Sequence, residues 1–170
     1  NKRHVFSADE REALRAVSAE LRVTETCLLL SAYSEVLGRW ARNKKYTINV
    51  TTVSRESIHP QTKSLVGDFT DVLLIEAEHG NGKDLKTRTL EIQERMLEAL
   101  EHSSFSGVDV IREIAKRKGS SETFPYVFTS TLGVEDLDDE RVNIVYRASR
   151  TSQVFIDAQA GIRNGGLEIC

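Results

Sequence analysis

Residues 24–53 read TETCLLLSAYSEVLGRWARNKKYTINVTTV, and two periodicities meet inside this stretch. Thr24 is an N-cap candidate, and Cys27, Leu28, Leu29, Leu30, Ala32, Tyr33, Val36, Leu37 and Trp40 follow it. Apolar side chains point in nearly every direction of the first half of such a helix, which predicts deep burial. Arg42, Lys44 and Lys45 mark an exposed turn. Residues 46–53 are then rich in β-branched side chains and alternate, which predicts a strand.

Outward from this unit the pattern repeats. Upstream, Ser7 and Glu10 have the spacing of a capping box, and Ala13, Leu14, Val17 and Leu21 give the helix behind it an apolar side. Downstream, a polar loop passes through His59 and Pro60, and residues 72–77 form a continuous apolar run, the pattern of a strand covered on both faces. After a turn at 80–82, Leu85, Ile92, Met96 and Leu100 recur at helical spacing over 84–101. Val108, Ile111, Ile114 and Ala115 predict a shorter helix stopped by Gly119. Residues 124–131, 142–149 and 154–159 are strand candidates, and Gly165 and Gly166 turn the chain into a last one. Helix pair, strands, helix pair, strands predicts an α/β fold, a two-layer sandwich. The apolar runs at 72–75 and 28–30 predict an apolar face left for a docking partner lobe.

Composition bounds the function. A chain of 170 residues with 39% hydrophobic and 29% charged residues can bury a core and suits one domain or one lobe of a larger one. A net charge of -3 excludes a general nucleic-acid footprint. The cluster Lys116-Arg117-Lys118 falls at a helix end, where it complements the helix dipole. Two cysteines, Cys27 and Cys170, show neither metal-ligand spacing nor a disulfide framework, which fits a reducing compartment and a cytoplasmic location. No apolar run approaches the roughly 20 residues of a membrane span. The glycosylation-like triplet Asn49-Val50-Thr51 lies inside a strand pattern. The chain opens without methionine and stops within a strand pattern, as a piece of a longer polypeptide would.

Gly80-Asn81-Gly82-Lys83 lies between strand and helix, but the upstream glycine of a phosphate loop is absent and Asp84 follows the lysine. His4, His59, His79 and His102 are dispersed, and Asp136, Asp138, Asp139 and Glu140 read as a solvated loop. Two segments carry more. One ends in Thr129 and Ser130 beside a turn at Gly133. In the other, alternation places Val154, Ile156 and Ala158 on one face and Gln153, Phe155, Asp157 and Gln159 on the other. That second face fits the lining of a polar cavity or a solvated sheet face.

Together these segments resemble a known family. Residues 24–41 are similar to its helix that ends in tyrosine, leucine and tryptophan. Val66-Gly67-Asp68-Phe69-Thr70 is similar to its glycine-aspartate-phenylalanine-threonine motif. Phe124-Pro125-Tyr126-Val127-Phe128-Thr129-Ser130 resembles its proline-x-valine-phenylalanine-threonine-serine motif, and residues 149–159, SRTSQVFIDAQ, resemble its last motif. The family is the heterocyclization branch of the condensation domains of non-ribosomal peptide synthetases.

The resemblance implies one lobe of a chloramphenicol acetyltransferase-like fold, with residues 1–170 as a partial C-terminal lobe. Two such lobes form a V with a tunnel between them. The implied partners are the N-terminal lobe, upstream and downstream peptidyl carrier proteins and an adjacent adenylation domain. No nucleic acid, membrane or metal is implied, and no cofactor is bound directly: phosphopantetheine on the carriers presents the substrates. The implied activity joins a carrier-bound acyl group to a carrier-bound cysteine, serine or threonine and closes the side chain onto the new amide, giving a thiazoline or oxazoline. Asp157 is implied to transfer protons, Thr129 to hold the intermediate or Asp157, and Gln153 to orient the pair. Ser130, Gln159, Asp68 and Thr70 are implied to line or shape the substrate path. The two aspartates separated by four residues and the His-His motif of the N-terminal lobe do not occur in this chain, Ser152 replaces a proline, and Ser54 stands where an asparagine is expected. A condensation lobe forming only the amide, a non-catalytic carrier-docking module and an unrelated acyltransferase of the same fold are the alternatives. The chain alone is expected not to turn over.

Overall fold

The computed structural model describes residues 2–53, 59–80, 82–120, 122–133 and 152–170. Along these residues run β1 (His4–Phe6), α1 (Ala8–Leu21), α2 (Glu25–Trp40), β2 (Lys45–Val53), a 3₁₀ turn (Pro60–Ser64), β3 (Thr70–Glu78), α3 (Leu85–Glu101), α4 (Gly107–Lys118), β4 (Tyr126–Ser130), β5 (Ile156–Arg163) and β6 (Gly166–Ile169). The strands form one mixed sheet in the order β1-β6-β5-β4-β2-β3. β4 runs parallel to both β2 and β5, and the other pairs are antiparallel. This is the α/β two-layer architecture that the element order predicts. The strand expected at 142–149, the acidic loop at 136–140 and Ser54 lie outside the described residues.

Local chemistry sets the helix starts. Ser7 and Glu10 close a reciprocal capping box, Thr24 accepts from the Cys27 amide, and Asp84 accepts from the Thr87 amide. Ser106 and Asp109 form a second box, and Gly119, at φ 68°, ends α4 in the left-handed conformation. Asn164 and Gly165, both at positive φ, join β5 to β6, as an Asn-Gly pair does in a tight hairpin. The core lies between the sheet and the helices. Leu30 of α2 and Ile92 and Met96 of α3 pack on Ile48, Ile75, Phe128 and Leu167.

Two expectations are corrected, the coverage of 72–77 and the apolar side of α1. The run 72–77 is not covered on both faces: β3 is a sheet edge, Leu73, Ile75 and Ala77 are buried, Val72 and Leu74 are half-buried, and Glu76 is exposed. Leu29, Leu30, Leu73 and Ile75 of the two apolar runs are taken up by the chain's own core, and Leu28, Val72 and Leu74 are half-buried. The first half of α2 is deeply buried, as expected, with Cys27, Leu29 and Leu30 in the core, whereas Val36 and Trp40 of its second half are 58% and 85% exposed. On α1, Leu14 and Leu21 are half-buried, but Ala13 and Val17 are exposed because only β6 and α2 adjoin that helix closely.

Candidate functional site

Alternation decides which side chains leave the core. Ile48 and Val50 of β2, Phe128 of β4 and Ala160 of β5 are buried beneath the helices. Asn49, Thr51, Val127, Thr129, Asp157 and Gln159 therefore point to the opposite face. All six are half-buried. The parallel register lines them up in two rows across β2, β4 and β5. Thr51, Thr129 and Gln159 make one row, and Asn49, Val127 and Asp157 make the other.

Hydrogen bonds tie this face together. The Thr129 hydroxyl donates to Thr51 Oγ1 at 3.0 Å. Gln159 Nε2 donates to Asp157 Oδ2 at 2.9 Å. Asn49 Nδ2 donates to the Phe124 carbonyl at 2.7 Å. Asp157 Oδ1 and Asn49 Oδ1 are buried and accept no hydrogen bond. Thr129 and Asp157 are diagonal neighbours on one face, roughly 7–8 Å apart by sheet geometry. They leave room for a substrate atom between them and do not bond to each other.

The other expected residues divide. Gln159 joins the site, where it holds Asp157. Gln153 does not share the strand: it sits in a turn at φ 67° and is exposed, because the chain enters β5 only after the Phe155 amide bonds the Pro125 carbonyl. The alternation expected over 154–159 thus begins at Ile156, and Phe155 is 80% exposed. Ser130 faces the helix layer, and its hydroxyl lies 2.9 Å from that of Thr26 on α2. Asp68 and Thr70 stand at the start of β3, at the far sheet edge. There Asp68 Oδ1 accepts from the Thr70 amide at 2.9 Å, and hydrogen bonding from Thr70 holds the exposed Asp68 carboxyl below its usual range. Thr51 and Asn49 were missed. The signal was the same alternation: Asn49 and Thr51 are the polar residues between the core residues Ile48 and Val50 and their successors.

Beneath the face, Tyr33 of α2 stacks on Phe128 and donates to the Ile156 carbonyl at 3.1 Å. Burial, and then the nearby Asp157 carboxylate, push its phenol up. Among the described residues no group of three or more His, Cys, Asp or Glu side chains could hold a metal ion, and no helix is long and apolar enough to cross a membrane.

One face of the mixed α/β sheet thus aligns two hydroxyls, a carboxylate and two amides across β2, β4 and β5. The chain belongs to the condensation-domain family: the model of that family, described as "Condensation domain", matches residues 1–157. Bacitracin synthase 1 of Bacillus licheniformis is 41% identical over 155 residues, covering 86% of this chain and 3% of that protein. Pyochelin synthetase PchF of Pseudomonas aeruginosa is 37% identical over 163 residues, 93% of this chain and 9% of that protein. The chain thus spans a small part of the relatives it matches. Among solved structures, the EpoB cyclization-docking bidomain from Sorangium cellulosum superimposes with a TM-score of 0.79 at 29% identity, covering 99% of this chain and 35% of that one. These neighbours carry the chloramphenicol acetyltransferase-like fold.

Proposed function

We propose that this chain is the C-terminal lobe of a heterocyclization domain and that the sheet face bearing Thr129 and Asp157 serves ring closure. The carrying observation is that Thr129 and Asp157, on two separate family-like motifs, share one face, with one Asp157 oxygen fixed by Gln159 and the other unpartnered. Support also comes from relatives named for their products: phenyloxazoline synthase MbtB of Mycobacterium tuberculosis is 31% identical over 169 residues, 96% of this chain and 12% of that protein.

The chemistry follows from what each step lacks. In amide formation the amine of a carrier-bound cysteine, serine or threonine attacks a thioester, an already reactive carbonyl, and the pantetheine thiol leaves. Ring closure starts from an amide, a poor electrophile. The side-chain sulfur or oxygen attacks the amide carbon while its proton moves to the carbonyl oxygen. The resulting hydroxyl then departs with the amide N–H proton as water, leaving a C=N bond. Both stages need a group that takes a proton and returns it, and such a group supplies about 10²–10⁴-fold. The Asp157 carboxylate is that group. Thr129, whose one proton goes to Thr51, accepts from the oxygen once it has changed from carbonyl to hydroxyl, and Gln159 keeps the carboxylate aimed. The upstream and downstream carrier proteins, the N-terminal lobe and the adenylation domain are partners of the complete domain, and the carriers' phosphopantetheine presents both substrates.

The test uses the complete domain with both carriers loaded. Asp157→Asn and Thr129→Val should each let linear peptide accumulate, seen by mass as a product heavier by one water. Normal ring formation in both variants rejects the reading, and robust turnover by the 170-residue chain alone rejects the division into two lobes.

A further inference from the structure

Buried polar side-chain atoms without a partner are rare, and each calls for an explanation. Among the described residues three are found: His79 Nδ1, Asn49 Oδ1 and Asp157 Oδ1. Two of the three lie on one face and in one row, on either side of Val127. Both are acceptors. Two strand spacings separate their backbones, about 10 Å, and the isopropyl group of Val127 lies between. Leaving a buried acceptor unmade is costly, whereas supplying a donor recovers that cost. What this row lacks is a ligand with N–H groups and an aliphatic middle.

We propose that Asn49 is a substrate-binding residue, whose Oδ1 accepts a hydrogen bond from a secondary-amide N–H of the carrier-borne chain. The proposal rests on the ring-closure reading for its ligand but concerns a different residue. Asn49 is tied by its Nδ2 to the Phe124 carbonyl, so its orientation is set before a ligand arrives and Oδ1 is the half left over. An amide side chain does not titrate between pH 2 and 12, so Asn49 moves no proton. The N–H it binds keeps its proton through the reaction, so the bond is the same in ground state and transition state, and its removal shows in KM and not in kcat. Asp157, across Val127, takes the donor whose proton moves; Asn49 takes one that stays.

The experiment reads linear amide formation in the complete domain, a step that survives if the ring-closure assignment of Asp157 fails. Asn49→Leu should raise KM for the pantetheine-borne amino acid by about 3- to 10-fold, one hydrogen bond's worth, with kcat within about twofold. Asn49→Asp keeps an acceptor but loses the donor to Phe124 that orients it, and should raise KM by less than Asn49→Leu does. Equal KM rises in both variants would place the function in the Phe124 tie and overturn the proposal, as would a Leu variant that loses thermal stability with KM unchanged. Two substrate analogues need no altered protein to bind. One replaces the pantetheine amides by esters, the other replaces the substrate's own amide. Whichever abolishes the difference between parent and Asn49→Leu identifies the donor, and if neither does, the proposal is wrong.

Discussion

Gln159 holds Asp157 by one oxygen: its Nε2 donates to Oδ2 at 2.9 Å across two positions of the same strand, while Oδ1 is left buried and without a hydrogen-bond partner. A carboxylate free to rotate presents its reacting oxygen only part of the time, so this bond is an orienting device. Gln159→Leu should slow ring closure about tenfold while leaving linear peptide formation within about twofold. Gln159→Glu, which substitutes a second acceptor for the donor, should do no better than Leu. The ratio of cyclized to linear product by mass measures both, and an unchanged ratio in the Leu variant would remove Gln159 from the site.

Thr51 stands to Thr129 as Gln159 stands to Asp157. The Thr129 hydroxyl donates to Thr51 Oγ1 at 3.0 Å, which turns its lone pairs toward the substrate. Thr51→Ser keeps that acceptor and should keep ring closure within about twofold, whereas Thr51→Val should lower it about 3- to 10-fold, the value of one hydrogen bond. Rescue by serine is the decisive reading, because a purely packing role would favour valine, which retains the shape.

Much of this face was legible in the sequence and part was not. The alternation of 46–53 and the strand ending in Thr129 put the right residues on the right strands. What alternation cannot supply is register, since Thr51 and Thr129 pair across β3, α3 and α4, and Thr129 pairs with Gln159, thirty positions on. Gln153 misled because period two was extended through a position that adopts φ 67°, where a strand cannot continue. Trp40 lies beyond the half of α2 whose apolar count predicts burial, and the sheet, α1 and α3 leave that end of the helix uncovered.

Tyr33 links the site to stability at high pH. Its phenol is pushed up by burial first and by the Asp157 carboxylate second. The unfolded phenol titrates near 10. A group whose folded value lies above its unfolded value gives its full contribution below the unfolded value and loses it as pH rises toward the folded one. Tyr33→Phe should therefore be less stable than the parent at neutral pH, where the bond to the Ile156 carbonyl is lost, and the gap should narrow above about pH 10. Thermal unfolding of parent and variant at pH 7 and pH 11 checks it. A gap that widens with pH contradicts the assignment.

The contact between α2 and α3 contains a buried hydroxyl pair whose direction can be deduced. Thr89 Oγ1 donates to the Leu85 carbonyl at 2.8 Å, one turn back in its own helix. A hydroxyl has one proton, so in the 2.7 Å contact between Ser31 and Thr89 the donor must be Ser31. The two deletions are then unequal. Thr89→Val preserves shape but strands the Ser31 hydroxyl in the core without an acceptor, at about 1–3 kcal/mol. Ser31→Ala removes the donor and leaves Thr89 bonded to Leu85, at about 0.5–1.5 kcal/mol. Adding Ser31→Ala to Thr89→Val removes the stranded group, so the double variant should be no less stable than Thr89→Val alone. A denaturant-unfolding double-mutant cycle on the 170-residue chain measures this. Simple additivity of the two losses would show that the hydroxyls do not act as a pair.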